Sequence, residues 1–278
     1  MANSAKKARS YDPAKVRAAL AGQTEALRAA VRELCARPHA EELLARPTRL
    51  GEWNVRQLVA HLGFCLDWLP HHLDEPVPAG AAIPLVEWPG LTRTAAEAIS
   101  AAVIEHAEGA FAGSPAEVAK EFDAACDLLL ATLDRPEAAD PARRFVIRFG
   151  PILVTDFLVT RLVETVVHAD DLAAVLELPA FPHDRQALAA VTRLLADALA
   201  HRVPGGAVEL RIPPFAVVQA VEGPRHTRGT PPNVVETDPL TWIRLATGRT
   251  SWAEAEGAAE LTASGERSDL SAYLPVLG

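Results

Sequence analysis

Apolar side chains recur at helical spacing through most of the first 180 residues. Val16, Leu20, Leu27, Val31 and Leu34 line one face of a segment that opens at Asp12-Pro13, an N-cap followed by proline at the first helical position, and runs to about Cys35. After the breakers Pro38 and Pro47, the residues Leu58, Val59, Leu62, Leu66 and Leu69 predict a second helix from about Val55, which Pro70 is expected to end. Residues 70–90 hold five prolines and two glycines and predict a long loop, a lid or a crossover. A third helix is predicted over about Thr92 to Ala112, and Ser114-Pro115 with Glu117 starts a fourth that reaches about Leu133. Beyond a break at Pro136 to Pro141, the longest apolar stretch predicts a helix over roughly Ile152 to Leu176, closed by Pro179 and Pro182.

The pattern then changes. Asp184 to His201 keeps helical spacing, but Ala207 to Ile212, Ala216 to Val221 and Val234 to Glu236 are short β-branched runs between proline and glycine turns. Asp238-Pro239 begins a helix through Ala246, and Ser251 with Glu254 marks a capping box. Leu261 to Ser264 reads as a last strand and Ser268 as the cap of a C-terminal helix. The expected architecture is multi-domain, α and then α+β: a helical bundle over residues 1–180 and a small α+β domain over residues 181–278.

Composition narrows the function classes. The 278 residues are 49% hydrophobic and 23% charged but only 5% aromatic, so Ala, Leu and Val supply a core that favours helix. A net charge of −9 argues against nucleic acid or an anionic membrane as partner. No apolar run approaches the roughly 18 residues of a membrane span. The start from Met1 to Tyr11 is polar, with no apolar signal region, so a cytoplasmic location is expected. Cys35, Cys65 and Cys126, odd in number and far apart, read as reduced thiols.

The candidate chemistry lies on the long helix. Glu164 and His168 are four apart and therefore share a face, where a carboxylate oxygen and an imidazole nitrogen can hold one metal ion. Taken alone the pair is weak. Chance supplies such pairs in a chain this long, and a second one, Glu222 and His226, falls in a Gly-Pro turn. Arg161, Glu164, His168 and Asp171 form one polar stripe on a helix that is otherwise apolar. The stripe is either a buried strip in need of partners or simply the exposed face, and the sequence leaves both open. His61 flanks the apolar face of the second helix and is a candidate third ligand; its ordinary reading is a half-buried histidine bonded to a carboxylate or carbonyl. His71 and His72, after Pro70, read as exposed loop residues, and Cys65, one turn from His61, reads as a core residue with an extra ligand as the alternative.

The segment from Leu50 through Trp53 to His61-Leu62 resembles the signature of the mycothiol-dependent maleylpyruvate isomerase family, part of the wider DinB-like metalloenzyme group. Arg161-Leu-Val-Glu164-Thr-Val-Val-His168-Ala-Asp-Asp171-Leu resembles the second signature of that family. Asp238 to Arg249 and Leu261 to Gly265 are similar to its sterol-carrier-like C-terminal domain. The resemblance implies a DinB-like four-helix bundle that binds a divalent metal, usually zinc, with His61, Glu164 and His168 as ligands and a fourth position open. It also implies mycothiol, the thiol of actinobacteria, as co-substrate. The metal-held thiolate would add to a small electrophile such as maleylpyruvate, and rotation and elimination would then give the fumaryl isomer. Relatives transfer the thiol instead. An arginine of the C-terminal domain is expected to hold a substrate carboxylate, with Arg249 the candidate and Arg244 the fallback. The rival reading is a sterol-carrier-like binding protein, its apolar cavity lined by Val217, Val235, Leu240, Ile243 and Leu261 and its bundle non-catalytic.

Overall fold

The computed structural model describes residues 9–51, 53–178, 180–224 and 231–277. Glu52, Pro179 and His226, all used in the sequence reading, lie outside the described residues, as do residues 1–8. Helix α1 (Pro13–Ala36) starts where the pattern places it: Asp12 accepts the Lys15 N–H at 2.9 Å and Pro13 stands at the first helical position. After the short α2 (Ala40–Leu44), a capping box between Asn54 and Gln57 opens α3 (Val55–His72). Then come α4 (Trp88–Thr92), α5 (Ala96–Glu108) and α6 (Pro115–Leu133), the last begun by the Ser114–Glu117 box. The short α7 (Pro136–Ala139) leads to a hairpin of β1 (Arg144–Ile147) and β2 (Gly150–Leu153), which feeds α8 (Val154–Val175).

Four of these helices close a ring. α1 packs on α6 and α8, α3 packs on the same two, and α5 covers α3 from outside. The centre is filled by Leu20, Leu27, Leu62, Leu66, Phe122 and Leu158, none with any exposed surface. The bundle thereby sets α3 and α8 side by side, which is the placement the candidate residues need.

The rest of the chain is smaller and mixed. Capped by Asp184, α9 (Arg185–Arg202) lies on α1 and α8. It is followed by β3 (Val208–Ile212), β4 (Ala216–Ala220), β5 (Val234–Thr237), α10 (Pro239–Ala246), α11 (Trp252–Gly257) and β6 (Leu261–Ser264). The sheet order is β4-β3-β5-β6, with β3 parallel to β5 and the other pairs antiparallel. α9 also packs on β4 and α10 and so joins the sheet to the bundle. The fold is a helical bundle followed by a small α+β part, as expected. Among the described residues no helix is long and apolar enough to cross a membrane.

Four local expectations give way. Pro70 does not end α3, which runs to His72. The proline removes one N–H in the last turn only, and the ring nitrogens Nδ1 of His71 and His72 reach the carbonyls of Asp67 and Trp68, each at 2.7 Å. The third helix is shorter than predicted, because residues 85–95 fold as α4 between two 3-10 turns. Residues 144–153, partly read as helix, form the hairpin. Their burial alternates with period two: Phe145 and Ile147 face inward while Val146 is 46% exposed. Ser268 caps no helix. Its hydroxyl donates to the Gly265 carbonyl at 2.8 Å, and only a 3-10 turn follows at Ser271–Tyr273. The residues expected to line an apolar cavity also divide, since Val217 is 56% exposed while Val235, Ile243 and Leu261 are packed in core.

Gly63, on α3 between His61 and Cys65, lets the Phe111 ring touch the helix. A Cβ there would stand 2.7 Å from Phe111 Cζ. Because Phe111 is itself buried, Gly63→Ala is expected to destabilise the chain by about 1–3 kcal/mol, read as a lower urea midpoint at unchanged m-value.

Candidate metal centre

The inward face of α3 carries His61 between Leu58 and Leu62, and the facing stripe of α8 carries Glu164 and His168 one turn apart. Their heads converge. Oε2 of Glu164 lies 3.2 Å from His61 Nε2 and 3.3 Å from His168 Nε2. The two imidazole rings meet edge to face with centroids 4.7 Å apart. Cys65 Sγ is 3.5 Å from His61 Nε2, and His61, Cys65 and Glu164 each offer a donor atom within 4.8 Å of the others. Both histidines are buried, whereas 18% of the Glu164 side chain is exposed, so solvent reaches the cluster on the carboxylate side. The polar stripe is therefore interior, the first of the two possibilities the pattern leaves open.

The turn ahead of α3 adds a wall and an anchor. Residues 47–54 are closed by a bridge between Pro47 and Asn54, and the Thr48 N–H and hydroxyl both donate to the Trp53 carbonyl, at 2.9 and 2.7 Å. Gly51 takes the left-handed backbone the turn requires, at φ +74°. This presents the Trp53 ring to His61 at 5.1 Å and to His168 at 6.3 Å, while its indole N–H donates to Ser100 on α5 at 3.1 Å. The same turn brings Arg49 to the end of the stripe.

There, His168 Nδ1 meets Asp171 Oδ2 at 2.8 Å. Asp171 is wholly buried and also takes the Arg49 Nε–H at 2.6 Å and a two-pronged contact from Arg249 at 3.2 and 3.0 Å. Its neighbour Asp170 is held by Arg244 at 3.0 and 2.6 Å and by Arg49. Arg161 stands further off, 3.9 Å from the other oxygen of Glu164 and over the Phe157 ring.

Burial opposes charge on each of these groups, and the partners outweigh it. Burial alone would lower His61, but the Cys65 sulfur and Glu164 leave its imidazole raised above 6.5. His168 is likewise raised, by Asp171 and Glu164 against burial. Glu164 is held well below 4.5 by the two imidazoles despite burial, and Asp171 is held down by His168 and Arg249 in the same way. Two imidazole nitrogens around one ionised carboxylate oxygen form a donor set in which a divalent cation can take the place of the protons. The three cysteines are free, and burial pushes the Cys35 thiol up to about 11 and that of Cys126 to about 12.

Of the residues singled out in the sequence, His61, Glu164, His168 and Asp171 come together, and Cys65, read there as a core residue with an extra ligand as the alternative, joins them. Arg249, expected to hold a substrate carboxylate, pairs with the chain's own buried Asp171, and its Nη1 donates to the Thr247 carbonyl at 2.7 Å. Arg244 is engaged by Asp170 in the same manner. His71 is exposed and His72 stacks on Trp68 at 4.2 Å, both away from the cluster. Trp53, Arg49 and Asp170 have no role in the sequence reading. Their one visible signal is the company they keep: Trp53 within the first signature, and two adjacent acids two and three residues after a histidine.

A family model described as the mycothiol maleylpyruvate isomerase N-terminal domain matches residues 25–173, and one described as a bacterial sterol-carrier-protein ortholog matches residues 184–276. The chain is similar to a crystal structure of the mycothiol-dependent maleylpyruvate isomerase, with TM-score 0.57 and 14% identity over 91% of this chain and 93% of that one. A crystal structure of a histidine-to-alanine mutant of that enzyme matches with the same figures. Identity this low establishes a shared fold. No curated protein matches.

Protonation of the cluster makes metal-free stability depend on pH. The raised His61 and His168 contribute stability that is complete below pH 6.5 and is lost as pH climbs through their folded values. The lowered Glu164 contributes stability present above 4.5 and lost as pH falls through its folded value. Chelator-treated protein is therefore expected to lose urea stability as pH rises from 6.5, and a His61→Ala/His168→Ala double variant to show a flatter profile over that range.

Proposed function

Since the chain belongs to the family of the mycothiol maleylpyruvate isomerase N-terminal domain, we propose that it is an enzyme joining a low-molecular-weight thiol of the mycothiol type to a small electrophile, as a maleylpyruvate isomerase-like enzyme or a thiol S-transferase. The convergence of His61, Glu164 and His168 from two neighbouring helices carries this reading. Two imidazole nitrogens and one carboxylate oxygen suit zinc and leave a coordination position open, the pattern of a catalytic site. When bound, such an ion holds a thiol as thiolate near neutral pH.

The chain's own residues do the rest. Asp171 accepts the Nδ1 proton of His168 and so leaves its Nε2 lone pair for the ligand position. Trp53 walls the two imidazoles and limits water. Glu164, the partly exposed member, marks the side from which a co-substrate enters. The nucleophile comes from outside the chain, in keeping with the raised Cys35 and Cys126 thiols. We read residues 1–180 and 181–278 as two domains, and the cytoplasm, where thiols stay reduced, as the location.

Purified protein is expected to contain stoichiometric zinc by metal analysis and to consume maleylpyruvate only when mycothiol is supplied. His61→Ala and His168→Ala should each lose the metal, and Cys65→Ala should keep it. Full zinc content in both histidine variants would overturn the ligand set, and its loss in Cys65→Ala would add sulfur to that set.

A further inference from the structure

The carboxylate of Asp171 has no exposed surface, and each of its oxygens accepts two N–H bonds. Oδ2 takes His168 Nδ1 at 2.8 Å and Arg249 Nη2 at 3.0 Å; Oδ1 takes Arg49 Nε at 2.6 Å and Arg249 Nε at 3.2 Å. A carboxylate offers about four such sites, so all are filled and its plane cannot turn. Two of the four come from Arg249, one on each oxygen. That arginine belongs to the sheet-containing part, whereas Asp171 and His168 belong to the bundle.

Local structure aims Arg249. Gly248 takes left-handed backbone at φ +71° just after α10, and the Arg249 N–H returns to the Arg244 carbonyl at 2.8 Å. The reversal brings the side chain back toward α8, and the Thr247 carbonyl accepts a bond from its Nη1. Arg244 does something else. It pairs two-pronged with Asp170, and among the described residues Asp170 makes no hydrogen bond to an imidazole. One arginine docks the two parts; the other reaches the group that orients a ligand.

We propose that Arg249, with Arg49, is a positioning residue of the His61–Glu164–His168 centre, acting through Asp171, so that the sheet-containing part sets how tightly the bundle holds a divalent metal. The inference rests on the ligand set proposed above. Without Arg249 each Asp171 oxygen loses one donor. The carboxylate can then turn, and the proton of His168 is no longer confined to Nδ1.

The test measures zinc affinity by competition with a chromogenic chelator, and the imidazole tautomer by long-range ¹H–¹⁵N NMR of metal-free protein at a pH above the raised folded value of His168, where the ring is neutral, with the His168→Ala spectrum giving the assignment. Arg249→Met is expected to weaken zinc binding by about 10- to 100-fold and to mix the two His168 tautomers. Arg249→Lys, which restores one donor, should recover part of both. Arg244→Met should lower the melting temperature while leaving the tautomer and most of the affinity in place. Unchanged affinity and tautomer in Arg249→Met, or equal losses in Arg244→Met and Arg249→Met, would overturn the proposal. A wild-type protein that binds no zinc would reject the ligand set instead, and the tautomer comparison would still decide the role of Arg249.

Discussion

Two adjacent carboxylates, Asp170 and Asp171, sit at the end of the polar stripe of α8 with almost no exposed surface. An unpaired charge in such a place costs several kcal/mol, so the structure around them is constrained to bring cations. Three guanidinium groups arrive from two distant stretches: Arg49 from the turn before α3, and Arg244 and Arg249 from the end of α10. The turn at 47–54, the docking of the sheet-containing part and the orientation of His168 all meet at this point.

The same economy of partners governs the cluster beside it. Glu164 sits between two imidazoles that burial alone would keep neutral, yet both are drawn toward protonation, His61 by the Cys65 sulfur and Glu164, His168 by Asp171 and Glu164. In the proposed function a divalent cation takes the place of these protons. Asp171 decides which nitrogen of His168 faces the exchange, and the arginines decide how firmly Asp171 stands. The chemistry is therefore built in two layers, one on adjacent bundle helices and one spanning both parts of the chain.

Much of the fold was legible because it rests on local rules. Asp12-Pro13, Ser114 with Glu117, Asp184, Asp238-Pro239 and Ser251 with Glu254 all open the helices they mark. The hairpin at 144–153 was not, since its short alternation adjoins a long apolar helix and is absorbed by the stronger period. Pro70 misled for a related reason: a proline in the last turn forfeits one bond, which is less than the tertiary contacts of α3 return.

The sequence by itself determined that Glu164 and His168 share a face and that Asp171 follows on the same stripe, because helical spacing is a property of a few consecutive residues. Only the tertiary structure decided that the stripe looks inward, that His61 comes to Glu164 across 103 positions, and that Arg249 meets Asp171. Those choices depend on which apolar faces fill one another's space and on where a buried charge finds its compensation, and neither quantity is contained in any single stretch of chain.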